Sequence, residues 1–414
     1  MTLRHRFTEN MKYFLAGILF FCVIYYFQGS EKRTNLQEEM KEFNKKFQNG
    51  FPRQKIRERL SRKSFFDPKL ILFYTEFFGT RPWKRHFVRE NLKCRMKIPC
   101  HVSFDPERFV DSHAVIFHLL DIKYFEELRM LNAHPIRSKQ IWIIFTMENP
   151  LSAIFNPELD DLFNFTMSYR AESDFRFSYG YYYPRKEPAD QLRTVPTPKV
   201  NFAVTKSKQV AWLVSNCGKF RDSLVQKLEK NSYITTYVGG KCSKYYKNQL
   251  KCKGHICNET LSEHKFYLAF ENSFCPDYVT EKYWFHPIQN HMIPIVLGGA
   301  NYKDPKLAIP GSFIDVFDFK SPKHLMDYIL EIDYDDTLFN SYFDWRNKYE
   351  FFSEDWECHK AVNDICTKMN TDEFLNNDFS ALRKAENRTI SKELNDKEAC
   401  YAREWLFKMW LHKK

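Results

Sequence analysis

Short, uninterrupted apolar runs of strand length, alternating with stretches of helical period, constrain this chain more than any other feature. Lys69–Thr75 (KLILFYT), His113–Leu119 (HAVIFHL) and Gln140–Thr146 (QIWIIFT) are three such runs, and Tyr124–Leu131 between the last two has helical character. A run that is continuous rather than alternating reads as a strand buried on both faces, which is the environment of a parallel sheet wound by helices. The pattern then recurs. Gln209–Ser215, Tyr233–Val238, Lys265–Phe270 and Ile293–Leu297 read as strands, the last ending in Gly298-Gly299. Helices are predicted over Phe220–Lys230, with Leu224, Val225 and Leu228 on one face, from near Thr280, and over Ser321–Ile332, where Pro322 suits a first helical position. The expectation is α/β: two doubly wound parallel-sheet domains facing a cleft, joined through the Pro-rich Val195–Pro198 stretch. Their predicted extents are 66–200 and 201–352, followed by a mostly helical, polar segment over 353–414. Forty Phe in an aromatic fraction of 17% supply the bulk for such cores. There is no internal repeat.

Ahead of these domains, Tyr13–Phe27 is an uncharged run of fifteen residues, extended to 13–29 if Gln28 and Gly29 are tolerated. At about 1.5 Å per residue it suffices for a thin bilayer. It ends in Tyr-Tyr-Phe-Gln rather than in the small residues of a cleavage site. It therefore reads as an uncleaved signal-anchor behind a cytoplasmic tail (1–12), followed by a polar lumenal stem (30–65). The net charge is +11, but eleven Lys or Arg stand against five acids between Glu31 and Lys63 alone. With few aromatics among those charges, the tract is a stem and not a nucleic-acid surface. Ten of the eleven cysteines lie beyond the anchor, without the paired spacing of a zinc site, and read as disulfides. Cys94/Cys100 and Cys358/Cys366 are the local pairings considered. Asn164, Asn258 and Asn387 head N-x-[ST] glycosylation acceptors.

In open α/β sheets a ligand sits beyond the carboxyl ends of the strands. Scanning those ends finds Glu148-Asn149-Pro150, Glu271-Asn272-Ser273 and Tyr278-Val-Thr280-Glu281-Lys282. A carboxylate two residues past a buried strand is held in a turn facing the cleft, where a general base belongs, although it could equally cap that turn. Thr280 is a natural N-cap whose free N–H groups invite an anion, and Lys282 in that first turn opposes the macrodipole unless one is bound. Lys282 then reads either as a phosphate ligand or as a snorkelling surface lysine. Asp333-Tyr-Asp335 has metal-binding DxD spacing but lies in an acidic run at a helix end.

Together these words resemble the animal α1,3-fucosyltransferases, glycosyltransferase family ten. The donor motif is FYLAFENSFCPDYVTEK, ending at Lys282, followed by Ile293–Gly298. Phe145–Pro150, Leu162–Thr166, Tyr169–Asp174, Val210–Asn216 with Arg221, and Tyr342–Arg346 follow the family's order. The resemblance implies a GT-B fold with an acceptor-binding N-terminal domain and a GDP-fucose-binding C-terminal one. It implies Glu148 as the base on the acceptor 3-hydroxyl, Arg221 and Lys282 as cations on the diphosphate, and Asn272, Tyr278 and Glu281 around fucose and ribose. His118 becomes an acceptor-side candidate.

The chain departs from the family at His118-Leu119-Leu120, where two histidines and an arginine are common, at Asn149 in place of Ser, and at Pro287 inside the helix expected from Thr280. Its Cys358–Cys366 spacing is also wider than the family's tight C-terminal pair. The expected function is a single inverting displacement placing α1,3-linked fucose on a GlcNAc of a glycoprotein glycan. No metal and no tightly bound cofactor are expected, a divalent cation being at most stimulatory. The expected setting is the Golgi membrane, single-pass and type II, with GDP-fucose and GlcNAc-containing glycans as partners. The alternative is a catalytically silent lumenal glycan-binding or scaffold protein of the same fold.

Overall fold

The computed structural model describes residues 69–81, 83, 100–185, 200–230, 233–251, 256–353, 360–371 and 389–413, all within one compact unit, Phe65–Lys414. The anchor expected at 13–29, the stem, Cys94, Cys358 and Asn387 lie outside the described residues. Among those residues no helix is long and apolar enough to cross a membrane.

The first block is a parallel sheet of β1 (Lys69–Phe73), β2 (Cys100–Ser103), β3 (Ala114–His118), β4 (Ile141–Thr146), β5 (Phe165–Ser168) and β6 (Phe175–Arg176). Its order is β2-β1-β3-β4-β5-β6. Every residue of β1, β3 and β4 is buried, as their continuous apolar runs demand. β2 carries no such run, sits half-exposed at the edge, and was not predicted. Helix α1 (Phe125–Asn132) follows β3 and buries Leu128 and Leu131. After β6, β7 (Gly180–Pro184) leaves this sheet.

The second block holds β8 (Lys208–Leu213), β9 (Thr236–Gly239), β10 (Asn248–Gln249), β11 (His264–Phe270), β12 (Ile293–Leu297) and β13 (Ile314–Asp315), in the order β10-β9-β8-β11-β12-β13. Helix α2 (Phe220–Lys230) buries Leu224, Val225 and Leu228, the face expected from its period. Helix α3 (Ile256–Ser262) leads into β11. The helix expected from Thr280 is broken: α4 (Glu281–Trp284) lasts one turn, and α5 (His286–Gln289) restarts with Pro287 in its first turn. Proline has no N–H to give and its ring collides with the preceding turn, so it begins a helix more readily than it continues one. Helix α6 (Pro322–Tyr334) starts behind Ser321 and buries Leu325, Ile329 and Ile332.

Helix α7 (Asp336–Ser341) leads to β14 (Tyr349–Ser353), which pairs antiparallel with β7 and ties the blocks together by main-chain bonds. The C-terminal segment then divides. Helix α8 (Lys360–Met369) packs Val362 and Ile365 against Ile71 and Ile143 of the first core. After α9 (Ile390–Leu394), helix α10 (Glu398–Leu411) packs Phe407 and Trp410 into the second core with Leu224 and Phe266. Disulfides secure both returns: Cys100 bonds Cys366 on α8, and Cys275 bonds Cys400 on α10. Cys217 bonds Cys242. The Cys100–Cys366 bond overturns both local pairings considered above. Cys100 sits on β2, to which α8 returns from 266 residues away, so tertiary proximity and not chain spacing chooses the partner.

Burial holds the imidazoles of His264, His286 and His291 down to about 4. Between the unfolded value near 6.5 and that folded value, the unfolded chain binds more protons, so stability is present above about 6.5 and lost as pH falls toward 4. The melting temperature should fall progressively over that window. A flat profile from pH 6.5 to 4.5 would show that these rings protonate freely in the native state.

Candidate active site

Both sheets have a switch point, where the strand order reverses and a crevice opens beyond the carboxyl ends. In the second block it lies between β8 and β11. Arg221, in the first turn of α2, spans it: Nη1 donates to the Phe270 carbonyl at 2.6 Å and Nη2 to the Asn216 carbonyl at 3.2 Å. Its guanidinium lies 5.6 Å from the Trp212 ring, and its Nε has no hydrogen-bond partner among the described residues. Burial lowers the pKa of this arginine, with Glu271 and Asp222 pulling the other way.

One residue past β11, Glu271 is fully buried and organises the loop that follows. Its carboxylate accepts from the Thr280 N–H at 2.8 Å and from Thr280 Oγ1 at 2.9–3.0 Å. It also pairs with Lys282 Nζ at 3.2 Å. Lys282 further reaches Glu281 at 3.0 Å and Thr280 Oγ1 at 2.8 Å. Burial opposes the lysine charge, yet Glu271 and Glu281 together raise its pKa above the ordinary value. Burial acts to raise Glu281 as well, but Lys282 holds it below the usual carboxylate range. The Thr280 cap forms as expected. The expected reliance on a helix dipole does not survive, because a single turn sums few peptide dipoles. Two carboxylates, rather than a dipole, set the charge around Lys282. In the sequence Glu271 stands out only as part of a motif. Its signal was a carboxylate directly abutting a seven-residue buried strand, where only paired charges persist.

The loop from Glu271 to Thr280 needs room. It passes so close to the end of β12 that a Cβ on Gly299 would stand 2.1 Å from the Phe274 carbonyl oxygen, which explains the expected Gly-Gly stop. Within this loop, Asn272 keeps a buried Oδ1 with no partner among the described residues, and Asp277 takes a positive φ of 59°. The Asp277 carboxylate accepts from the Ala171 N–H of the first block at 3.0 Å.

Tyr278 crosses to the first block. Its hydroxyl donates to Glu148 Oε2 at 3.4 Å, and its buried ring meets Tyr169 edge-on at 5.0 Å. Glu148 lies just beyond β4 as expected, its N–H donating to Thr146 Oγ1 at 3.1 Å. The turn is capped not by Glu148 but by Asn149, whose Oδ1 accepts from the Leu151 N–H at 3.1 Å. The Glu148 carboxylate is thereby left to face Tyr278 of the second block. Burial raises its pKa, Lys282 lowers it and Glu281 raises it, leaving it above the ordinary glutamate value.

His118 ends β3, fully buried, with Nδ1 2.5 Å from Asp121 Oδ2 and Nε2 without a partner among the described residues. Leu119 beside it is buried and Leu120 is 43% exposed. The remaining expected positions lie elsewhere. Asn164 is half-buried and its Oδ1 accepts from the Trp142 N–H at 2.8 Å, whereas Asn258 is exposed on α3. Asp333 pairs with Lys265 at 3.2 Å and Asp335 caps α7, so both acids of the DxD spacing hold the fold together.

Both blocks match known protein families. The family described as "Fucosyltransferase, N-terminal" matches residues 67–180, and "Glycosyltransferase family 10 (fucosyltransferase) C-term" matches 203–385. The chain belongs to glycosyltransferase family 10. It is 36% identical to a 3-galactosyl-N-acetylglucosaminide 4-alpha-L-fucosyltransferase of Pan troglodytes, over 69% of this chain and 73% of that protein. It is 34% identical to glycoprotein 3-alpha-L-fucosyltransferase A of Drosophila melanogaster, over 74% of this chain and 58% of that protein. A solved α1,3-fucosyltransferase with GDP aligns with a TM-score of 0.45 at 18% identity, over 77% of this chain and 94% of that one.

Replacing Glu271 by Ala leaves the Thr280 donors unpaired in a buried site and takes one of its two carboxylates from Lys282, which costs about 1–3 kcal/mol or more. Denaturant unfolding of the variant measures this. A loss below about 1 kcal/mol would mean the network is dispensable to the fold.

Proposed function

We propose that this chain is a GT-B α1,3-fucosyltransferase that moves fucose from GDP-β-L-fucose to the 3-hydroxyl of a GlcNAc residue in a glycoprotein glycan. The observation that carries the reading is the Glu148–Tyr278 contact. It brings a carboxylate from one sheet to 3.4 Å from a tyrosine hydroxyl on the loop that runs on to Lys282 in the other, and the Lys282 charge acts to lower the pKa of that carboxylate. A base and a cation meeting there have the separation of roles that glycosyl transfer needs. Glu148 takes the proton from the attacking hydroxyl as its oxygen bonds to the fucose anomeric carbon. The bond from that carbon to the phosphate oxygen breaks, and its electron pair leaves on GDP. Attack from the opposite face converts the β-linked donor into an α-linked product. Lys282 and Arg221 balance the diphosphate charge, worth most in a site that excludes water. In this reading Asn272, whose Oδ1 has no partner among the described residues, and Tyr278 meet donor hydroxyls, with Glu281 holding Lys282. A lumenal Golgi-membrane setting goes with this reading, supported by the disulfides and the N-x-[ST] acceptors.

Glu148→Gln should abolish transfer, a loss of about 10²–10⁴-fold or more for a general base, while the GDP dissociation constant stays put. Lost GDP binding would instead make Glu148 a structural residue. In the wild type, the rate should fall on acidification through a pKa above the ordinary glutamate value, because the basic form is lost as pH drops through a raised pKa. Lys282→Ala should weaken GDP binding by about 1–3 kcal/mol, measured by titration calorimetry. An unchanged constant would remove Lys282 from the diphosphate.

A further inference from the structure

Helix α10 is apolar on both of its sides. The inner side seats Phe407, Trp410 and Leu411 in the second core, yet Tyr401, Trp405, Leu406 and Met409 stand 56%, 58%, 54% and 52% exposed. A helix that is apolar all round belongs in a buried setting, and these exposures leave one side of α10 open. Along that side Glu398, Ala402, Trp405, Met409 and His412 follow one another at spacings of four, three, four and three residues. This is the alternation that keeps two helices in contact along their length. We infer that this seam docks a second copy of the chain, α10 packing antiparallel on α10 about a two-fold axis at Trp405.

The seam is complementary to itself. Tyr401 and Met409 lie four residues to either side of Trp405, and Glu398 and His412 lie seven to either side. A two-fold axis at Trp405 brings the two Trp405 rings together and sets Tyr401 of each copy against Met409 of the other. It also places Glu398 of each copy beside the basic His412 and Lys413 of the other. An isologous contact needs this, because one patch must serve both partners. Parallel pairing would set Glu398 against Glu398, bring the basic ends together and align the two helix dipoles.

Size and borders fit the same occupant. Aromatic side chains carry roughly 150–250 Å² each, so four half-exposed apolar side chains offer on the order of 400 Å². That is about half of the roughly 800 Å² that each partner buries in a stable interface, and polar residues supply the rim. Glu404 pairs with Lys408 at 3.3 Å, and the Lys408 ammonium lies 4.0 Å from the centre of the Phe220 ring, so the border of the seam is already ordered. A helix that lies on a membrane sets Lys and Arg beside its apolar face. Here the seam itself begins with Glu398, which anionic headgroups would repel and which a second copy neutralises.

The test is sedimentation velocity of the full chain in a mild detergent, over a dilution series. The wild type should sediment as a reversible dimer. Trp405 is exposed, so Trp405→Glu leaves both cores intact, and it should raise the dimer dissociation constant by about thirtyfold or more, as for a central anchor residue. Glu398→Lys should also weaken the dimer, and adding Lys413→Glu to the same chain should restore it, since the charges are then only exchanged. Trp405→Cys should give a covalent dimer on a non-reducing gel after mild oxidation, because the axis sets that position against itself. Lys392→Cys, exposed on α9, should add none. A wild type that stays monomeric at every dilution, a dimer indifferent to Trp405→Glu, or a charge exchange that fails to rescue would each overturn the pairing. So would a monomer that co-sediments with phosphatidylserine vesicles and is released from them by Trp405→Glu, which would make the seam a membrane face.

Discussion

The buried carboxylate of Glu271 is the constraint on which the site depends. A charge sealed at the end of a central strand is tolerated only when its lone pairs are taken up and a cation stands beside it. Glu271 meets this condition by binding both donors of Thr280 and pairing with Lys282. In doing so it fixes the start of α4, the direction of the lysine and the path of the loop that carries Tyr278. The glycine at the end of β12 follows from the same demand, since that loop needs backbone where a side chain would sit.

Two crevices share one origin. Each sheet reverses its strand order once, and each reversal opens a gap that main-chain pairing cannot fill. The gap in the second block gathers Arg221, Glu271 and Lys282, a cationic cluster held by acids and carbonyls. That in the first gathers Glu76, Asp121 and Glu127 with Arg81, Lys123 and aromatic rings. Between them stands Glu148, whose environment is contributed by both blocks: Tyr278 and Lys282 from one, the β4 turn and His118 from the other.

Because the site is shared, the blocks must be held in place, and the C-terminal segment does much of this. β14 pairs with β7, α8 returns to the first core and α10 closes the second. The Cys275–Cys400 bond attaches α10 directly to the loop that presents Tyr278. A disulfide closing a loop of this length restricts the unfolded chain strongly, and here it also anchors a segment of the site.

The strands β1, β3, β4, β8, β11 and β12, together with α2 and α6, were legible in the sequence because their burial is written in contiguous apolar runs or a single helical face. Glu148, Lys282, Tyr278 and Arg221 were legible as charged or polar residues at strand ends and as words of a family motif. What the chain could not display locally was pairing over long separations. β2 and β7 have no strong run of their own and exist as strands because β1 and β14 lie beside them. Cys366 finds Cys100 only after α8 has docked. Glu271 looked like one acid among several until burial showed that it must be neutralised, and Pro287 like a kink until the fold used it to start a new turn. Local composition decides what each segment is able to form. Which segments meet, and therefore which charges must be paired and which remain for a substrate, is decided by tertiary packing, because only contact removes the water that would otherwise satisfy every polar group.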